Sequence, residues 1–234
     1  MNVTLIFLAA VGAVIIWWMS GQRLTSKPWL EAGVVPPTGM DRPHFPAVKI
    51  GLYVFLGVVG ALFILFVSAY FMRMTSSDWW STPVPPILWL NTGILIFASV
   101  TLQLARTEVR RNREHAVRHD LSAGFILTVL FLVGQVAAWR ELASAGYVFS
   151  ANPSYSFFYL LTGLHGLHIL GGLIVLGRTA VQAFSTDMPR DRLRLNIDLC
   201  AVYSHFMLAV WLLLFAIFAG WANDFADLCR QLLT

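Results

Sequence analysis

Charge is what this chain has least of. Of its 234 residues, 12% are charged and 58% are hydrophobic. A soluble globular domain carries about 25% charged residues. A chain with half that supply must face hydrocarbon over much of its area, and the mean hydropathy of +0.70 agrees. Acidic groups are scarcer still inside the apolar runs. All 12 carboxylates fall in loops or near run ends, with Asp120 and Asp198 closest to an interior. Proton relays and ion pathways usually need intramembrane carboxylates, so a pump or active transporter working alone is disfavoured. There are 2 cysteines, Cys200 and Cys229, which make neither a disulfide framework nor a paired metal motif. No internal repeat or low-complexity tract is present. The formal charge of +4 and pI near 9.4 do not indicate nucleic acid, because the basic residues sit in short loops between apolar runs.

What the chain does have is long apolar stretches. A spanning helix needs about 20 mostly apolar residues. Six stretches qualify: Val3–Met19, Val48–Met72, Ile87–Ala105, Leu121–Trp139, Ser156–Gly177 and Ile197–Trp221. The first lacks a basic leader and a small-residue cleavage site, which favours a spanning helix over a signal peptide. Trp17, Trp18, Trp79, Trp80, Trp139, Tyr155 and Trp221 mark run ends, where amphipathic rings prefer the headgroup level. The predicted fold is an all-α integral membrane bundle of about six transmembrane helices. Residues 1–47 form an N-terminal helix and a Pro-rich linker; residues 48–234 form a continuous five-helix domain.

Lysine and arginine give the topology. Loops 20–49, 106–119 and 178–195 hold all but Arg73, Arg140 and Arg230 of the 16 basic residues. Alternate loops are therefore basic, which places them in the cytoplasm and both termini in the periplasm.

The histidines are the sharpest intramembrane feature. His165 and His168 are spaced i, i+3 and share a helix face. His205 lies on the last run. His168 is about 15 Å from Arg178, and His205 about 13 Å from Asn196, at 1.5 Å per residue. The two runs are antiparallel, so these rings reach one depth. Neutral imidazole can ligate metal or haem, but three histidines supply at most one axial pair, and only Cys200 lies near. The reading preferred here is that they hydrogen-bond between the last two helices. Gly163 and Gly166 on the same helix permit close backbone approach. Asn91, Thr92, Ser99, Gln103 and Gln135 are further polar groups that need partners within the bundle.

The run Phe157–Gly172, FFYLLTGLHGLHILGG, resembles the signature of cytochrome c oxidase subunit III, of the haem-copper oxidase family. Three more stretches match in the same order: Gly51–Leu56, Pro85–Thr92 with Ser99, and Tyr203–Phe206 with Val210 and Trp211. The resemblance spans about residues 50–221. It departs from the family where a serine-glutamate pair is replaced by Val58 and Val59, and where an aspartate is replaced by Leu208. Val3–Met19 stands in place of the family's first two helices.

The resemblance implies an accessory role. In the family this subunit holds no haem or copper, which lie in subunits I and II. It packs on subunit I and binds phospholipid between its helix groups. No catalytic, cofactor or metal residues are expected here; His165, His168, His205, Asn91, Gln135, Gly163, Gly166 and Trp211 are expected to serve structure or face lipid. The bacterial inner membrane is the expected location. An accessory protein of nitric oxide reductase is the alternative within the same superfamily. A free-standing b-type cytochrome using the histidines is the alternative outside it.

Overall fold

The computed structural model describes residues 47–80, 83–150, 152–184 and 189–220. The first predicted span, Val3–Met19, and the linker after it lie outside the described residues. Five helices long and apolar enough to cross a membrane are present among the described residues, rather than the six expected from the whole chain. They are α1 (Ala47–Met74), α2 (Ile87–Arg110), α3 (Glu114–Ser144), α4 (Pro153–Phe184) and α5 (Arg190–Phe218).

Most helices outrun the apolar stretches that predict them. Helix α2 continues through Arg106 to Arg110, and α5 begins at Arg190, seven residues before Ile197, where the predicted run starts. A backbone already wound through hydrocarbon gains one hydrogen bond for each added residue. Long cationic side chains at the ends can reach the polar zone while their stems stay on the bundle. At the far end α5 stops at Phe218, short of the expected Trp221. Gly220, just past that end, takes φ +84°.

Two other helix ends close by the same device. After α3, Gly146 takes φ +88°, Tyr147 N–H donates to the Leu142 carbonyl at 3.0 Å, and Gly146 N–H donates to Ala143. After α2, Asn112 takes φ +58° and Arg113 N–H donates to the Glu108 carbonyl at 3.2 Å. A left-handed residue just past the last turn lets the chain satisfy orphan carbonyls and reverse. Glycine adopts that conformation without strain, and asparagine is the commonest substitute.

Helices α2, α3, α4 and α5 form a closed ring of neighbours, and α1 packs outside it on α4 and α5. Helix α1 is the most peripheral: 17% of its apolar window is buried, against 28–39% for the others. Leu65 and Met72 on α1 are 71% and 76% exposed, which is the composition of a lipid-facing surface rather than of an aqueous one. One buried cluster, with Leu95, Phe131, Phe158 and Trp211, fills one half of the ring. A second, with Leu102, Leu121, Leu176 and Ile197, fills the other half. Val59 and Phe63 of α1 join Leu161, Val210 and Leu214 in a third.

Polar contacts tie loops at each end. Asn152 Nδ2 donates to the Asp78 carbonyl at 2.9 Å, joining the α1–α2 and α3–α4 connections. Arg73 pairs with Asp78 at 2.5 Å, and its guanidinium holds that carboxyl below the usual range by hydrogen bonding. At the opposite end Arg190 meets Glu114 at 2.8 Å, and Arg194 donates to Asn112 Oδ1 at 2.8 Å.

Candidate functional site

Of the polar residues singled out from sequence, Asn91, Thr92, Ser99, Gln135 and His165 are buried, His168 and His205 are half-buried, and Gln103 is exposed. His165 is fully buried. Its ring is framed by Trp211 at 5.2 Å, Phe131 at 5.9 Å and Phe63 at 6.3 Å, centroid to centroid. Neither ring nitrogen has a hydrogen-bond partner among the described residues. His168, one turn on, faces Phe63 at 5.7 Å. Its Nδ1 lies 2.8 Å from the Leu164 carbonyl of its own helix, which makes Nδ1 the protonated nitrogen.

The expected hydrogen bonding of the three histidines between α4 and α5 is not found: His165 has no partner among the described residues, His168 bonds its own helix, and His205 bonds a different neighbour. It does not turn toward α4. Its Nδ1 bonds the Ser99 hydroxyl and its Nε2 lies 3.1 Å from Gln103 Oε1, both on α2. The reason is the ring topology: α5 has two flanking neighbours, α2 and α4, and His205 lies on the α2 side. The α4–α5 seam is joined instead by Tyr203, whose hydroxyl donates to the His168 carbonyl at 2.6 Å. Gly172 makes room for it, since a Cβ there would overlap the Tyr203 ring.

The other candidates are joined across helices. Asn91 Nδ2 donates to Gln135 Oε1 at 3.4 Å, linking α2 to α3 in the core. Gly134 is required beside this pair, because a Cβ at that position would overlap the Asn91 side chain. Trp211 Nε1 donates to Thr92 Oγ1 at 2.9 Å, linking α5 to α2; Thr92 in turn donates to the Leu88 carbonyl at 2.7 Å. Trp139 Nε1 donates to Thr162 Oγ1 at 3.0 Å, linking α3 to α4. Gly163 lies beneath that indole, where a Cβ would contact it at 3.7 Å. Gly166 leaves space next to Leu132. A hydroxyl that serves a helix carbonyl and accepts from an indole satisfies two buried groups at once.

Sequence reasoning places Asp198 near a helix end but does not find its partners. Lys49 of α1 reaches it at 3.2 Å, Arg106 at 2.7 Å and Arg110 at 3.4 Å, both of α2. One carboxylate thus gathers cations from two other helices at the arginine-rich end. The i, i+4 spacing of Arg106 and Arg110 on one face was the available signal. Cys200 is buried against Thr179, with Sγ 3.7 Å from its hydroxyl. Val59 is 3% exposed and Val58 is 63% exposed; the position aligned with the family glutamate therefore faces an apolar core cluster. Among the described residues, no group of three His, Cys, Asp or Glu side chains is placed to hold a metal ion.

Comparison with known proteins places this architecture. The family model for cytochrome c oxidase subunit III matches residues 46–223. A probable cytochrome c oxidase subunit 3 of Mycobacterium bovis is 29% identical over 187 residues, covering 76% of this chain and 89% of that protein. Cytochrome c oxidase subunit 3 of Synechocystis is 25% identical over 170 residues, covering 70% and 72%. The Yarrowia lipolytica protein of that name is 29% identical over 135 residues, covering 57% and 48%. With a multi-pass helical bundle carrying the FFYLLTGLHGLHILGG run on α4 and a family match over most of its length, the chain belongs to the cytochrome c oxidase subunit III family.

Proposed function

We propose that this chain is a non-catalytic accessory subunit of a respiratory haem-copper terminal oxidase. It steadies the catalytic subunit and holds phospholipid. The observation that carries this reading is how the buried polar groups of the core are used. The Trp211–Thr92, Trp139–Thr162, Asn91–Gln135 and Tyr203–His168 pairs each join two helices. Such pairs supply cohesion within a bundle, and they leave this chain's chemistry to its partners. Haems and copper belong in this reading to subunits I and II, with subunit I as the main contact.

Lipid holding is supported by an apolar cavity of about 640 Å³ with walls from all five helices, among them Phe55, Leu95, Leu173 and Tyr203. Its position beside the peripheral α1 suits acyl chains. The basic loops are read as cytoplasmic, in the bacterial inner membrane, with periplasmic termini.

The test is purification through a tag on this chain in mild detergent, followed by identification of the accompanying chains. Recovery of a haem- and copper-bearing oxidase subunit supports the reading. A nitric oxide reductase partner moves the chain to that complex, and recovery of the chain alone with its own haem spectrum refutes it.

A further inference from the structure

The arginine-rich end holds a second, smaller cavity of about 230 Å³, with Arg113, Arg118, Arg190 and Arg194 in its wall. We propose that it is a binding site for a phosphate group, carried by a free phosphate or by an anionic lipid headgroup. Topology rules explain why arginines are plentiful at this end. They do not explain why four of them, from the α2–α3 turn, α3 and α5, converge on one recess.

The wall carries four guanidiniums and the carboxylate of Glu114; Glu108, outside the wall, pairs with Arg113 at 3.5 Å, so the cations still outnumber the anions. Guanidinium is the group best suited to phosphate, since its planar fork presents paired N–H donors. The floor is apolar and buried: Val109, Val117 and Ala183 are 8%, 3% and 6% exposed. A low-dielectric floor strengthens the attraction between the rim and an anion. The volume falls below the roughly 300–1,000 Å³ of pockets for drug-sized ligands, so a phosphate or a headgroup fits better than a larger molecule.

Two of the arginines are positioned in advance. Arg118 Nε donates to the Ala183 carbonyl at 2.9 Å, which uses one of its five N–H donors, and its guanidinium lies 5.5 Å from the Phe184 ring centroid. Arg194 is held by Asn112 Oδ1 at 2.8 Å. The other two sit on the rim, 66% and 72% exposed for Arg113 and Arg190, each with one guanidinium nitrogen near a carboxylate: Arg113 at 3.5 Å from Glu108 and Arg190 at 2.8 Å from Glu114. Their remaining N–H donors can turn to an anion. Helices α3 and α5 begin here at Glu114 and Arg190 without a side-chain hydrogen bond to their first N–H groups. Their positive ends add to the same field.

The experiment is isothermal titration calorimetry on the complex purified with its natural partners in a non-ionic detergent. Inorganic phosphate and dioctanoyl phosphatidylglycerol are titrated separately. Saturable binding of phosphate identifies a free anion as the source, and saturable binding of the lipid alone identifies a headgroup. In either case the Arg118→Gln/Arg194→Gln double variant raises Kd at least tenfold. If that variant fails to assemble, Arg113→Gln/Arg190→Gln, which alters exposed side chains, must show the same direction of change. Arg73→Gln, at the opposite end, leaves Kd unchanged. The proposal is overturned if neither probe saturates, if the recess variants bind as the parent does, or if Arg73→Gln weakens binding equally.

Discussion

Trp211 offers a way to separate hydrogen bonding from packing in this core. It is 1% exposed, donates to Thr92, and lies 5.0 Å from Phe131 and 5.2 Å from His165, centroid to centroid. Replacing the indole by a methyl group opens roughly 140 Å³, which at about 24 cal/mol per Å³ amounts to roughly 3 kcal/mol. The transfer contribution that adds to this in water is small in a bilayer, because lipid tails are as apolar as the core. Trp211→Phe opens only roughly 40 Å³, or about 1 kcal/mol of cavity, and loses an interhelical hydrogen bond that averages about 0.6 kcal/mol in membranes. The expected losses are therefore about 3 kcal/mol for alanine and about 1.5 for phenylalanine.

The second half of the cycle is Thr92→Val, which keeps shape and strands the indole N–H. That should cost about 1–3 kcal/mol, and in the Trp211→Phe background it should cost clearly less. The assay is reversible unfolding of the purified protein in mixed micelles, followed by tryptophan fluorescence and circular dichroism. If Trp211→Phe costs as much as Trp211→Ala, packing is not the larger contribution and the reasoning fails. If Thr92→Val costs the same with and without the indole, the two residues are not coupled and the bond is not formed.

Three further outcomes follow from the same structure. Periplasmic thiol reagents should label a cysteine introduced at Ser76 and spare one at Asn112; labelling at Asn112 from outside would reverse the topology. Val59→Glu places a carboxylate in the cluster with Phe63 and Leu214 and should cost on the order of 3 kcal/mol; a variant that unfolds like the parent would mean that a polar partner lies within reach. Asp198→Asn leaves Lys49, Arg106 and Arg110 facing one another and should cost about 1–3 kcal/mol, with the loss partly recovered at high salt because the site is part-exposed; a loss insensitive to salt would argue against charge as the cause.

The spans were legible because hydrocarbon demands them: Val48–Met72 reads as a helix and is one, in α1. The ends were less legible. Arg106, Arg110 and Arg190 look like loop residues by composition, yet helical hydrogen bonding continues through them. The roles of Asn91, Gln135 and Trp211 as bonded or packed core groups could be anticipated from their polarity in an apolar run. Their partners could not, because chain order does not reveal which helices are neighbours. His205 illustrates this: proximity in sequence points to α4, but the closed ring turns it to Ser99 and Gln103 of α2. Gly134 and Gly172 carry no signal of their own, since their role is set by Asn91 and Tyr203 across the seam.

In the proposed role this chain supports an oxidase without ligating its cofactors. The direct test is haem and copper analysis of the purified complex carrying alanine at His165, His168 and His205, normalised to the catalytic subunit. Haem and copper per catalytic subunit should be unchanged, together with weaker retention of this chain. Loss of one haem or one metal ion per assembled complex would contradict the proposed role.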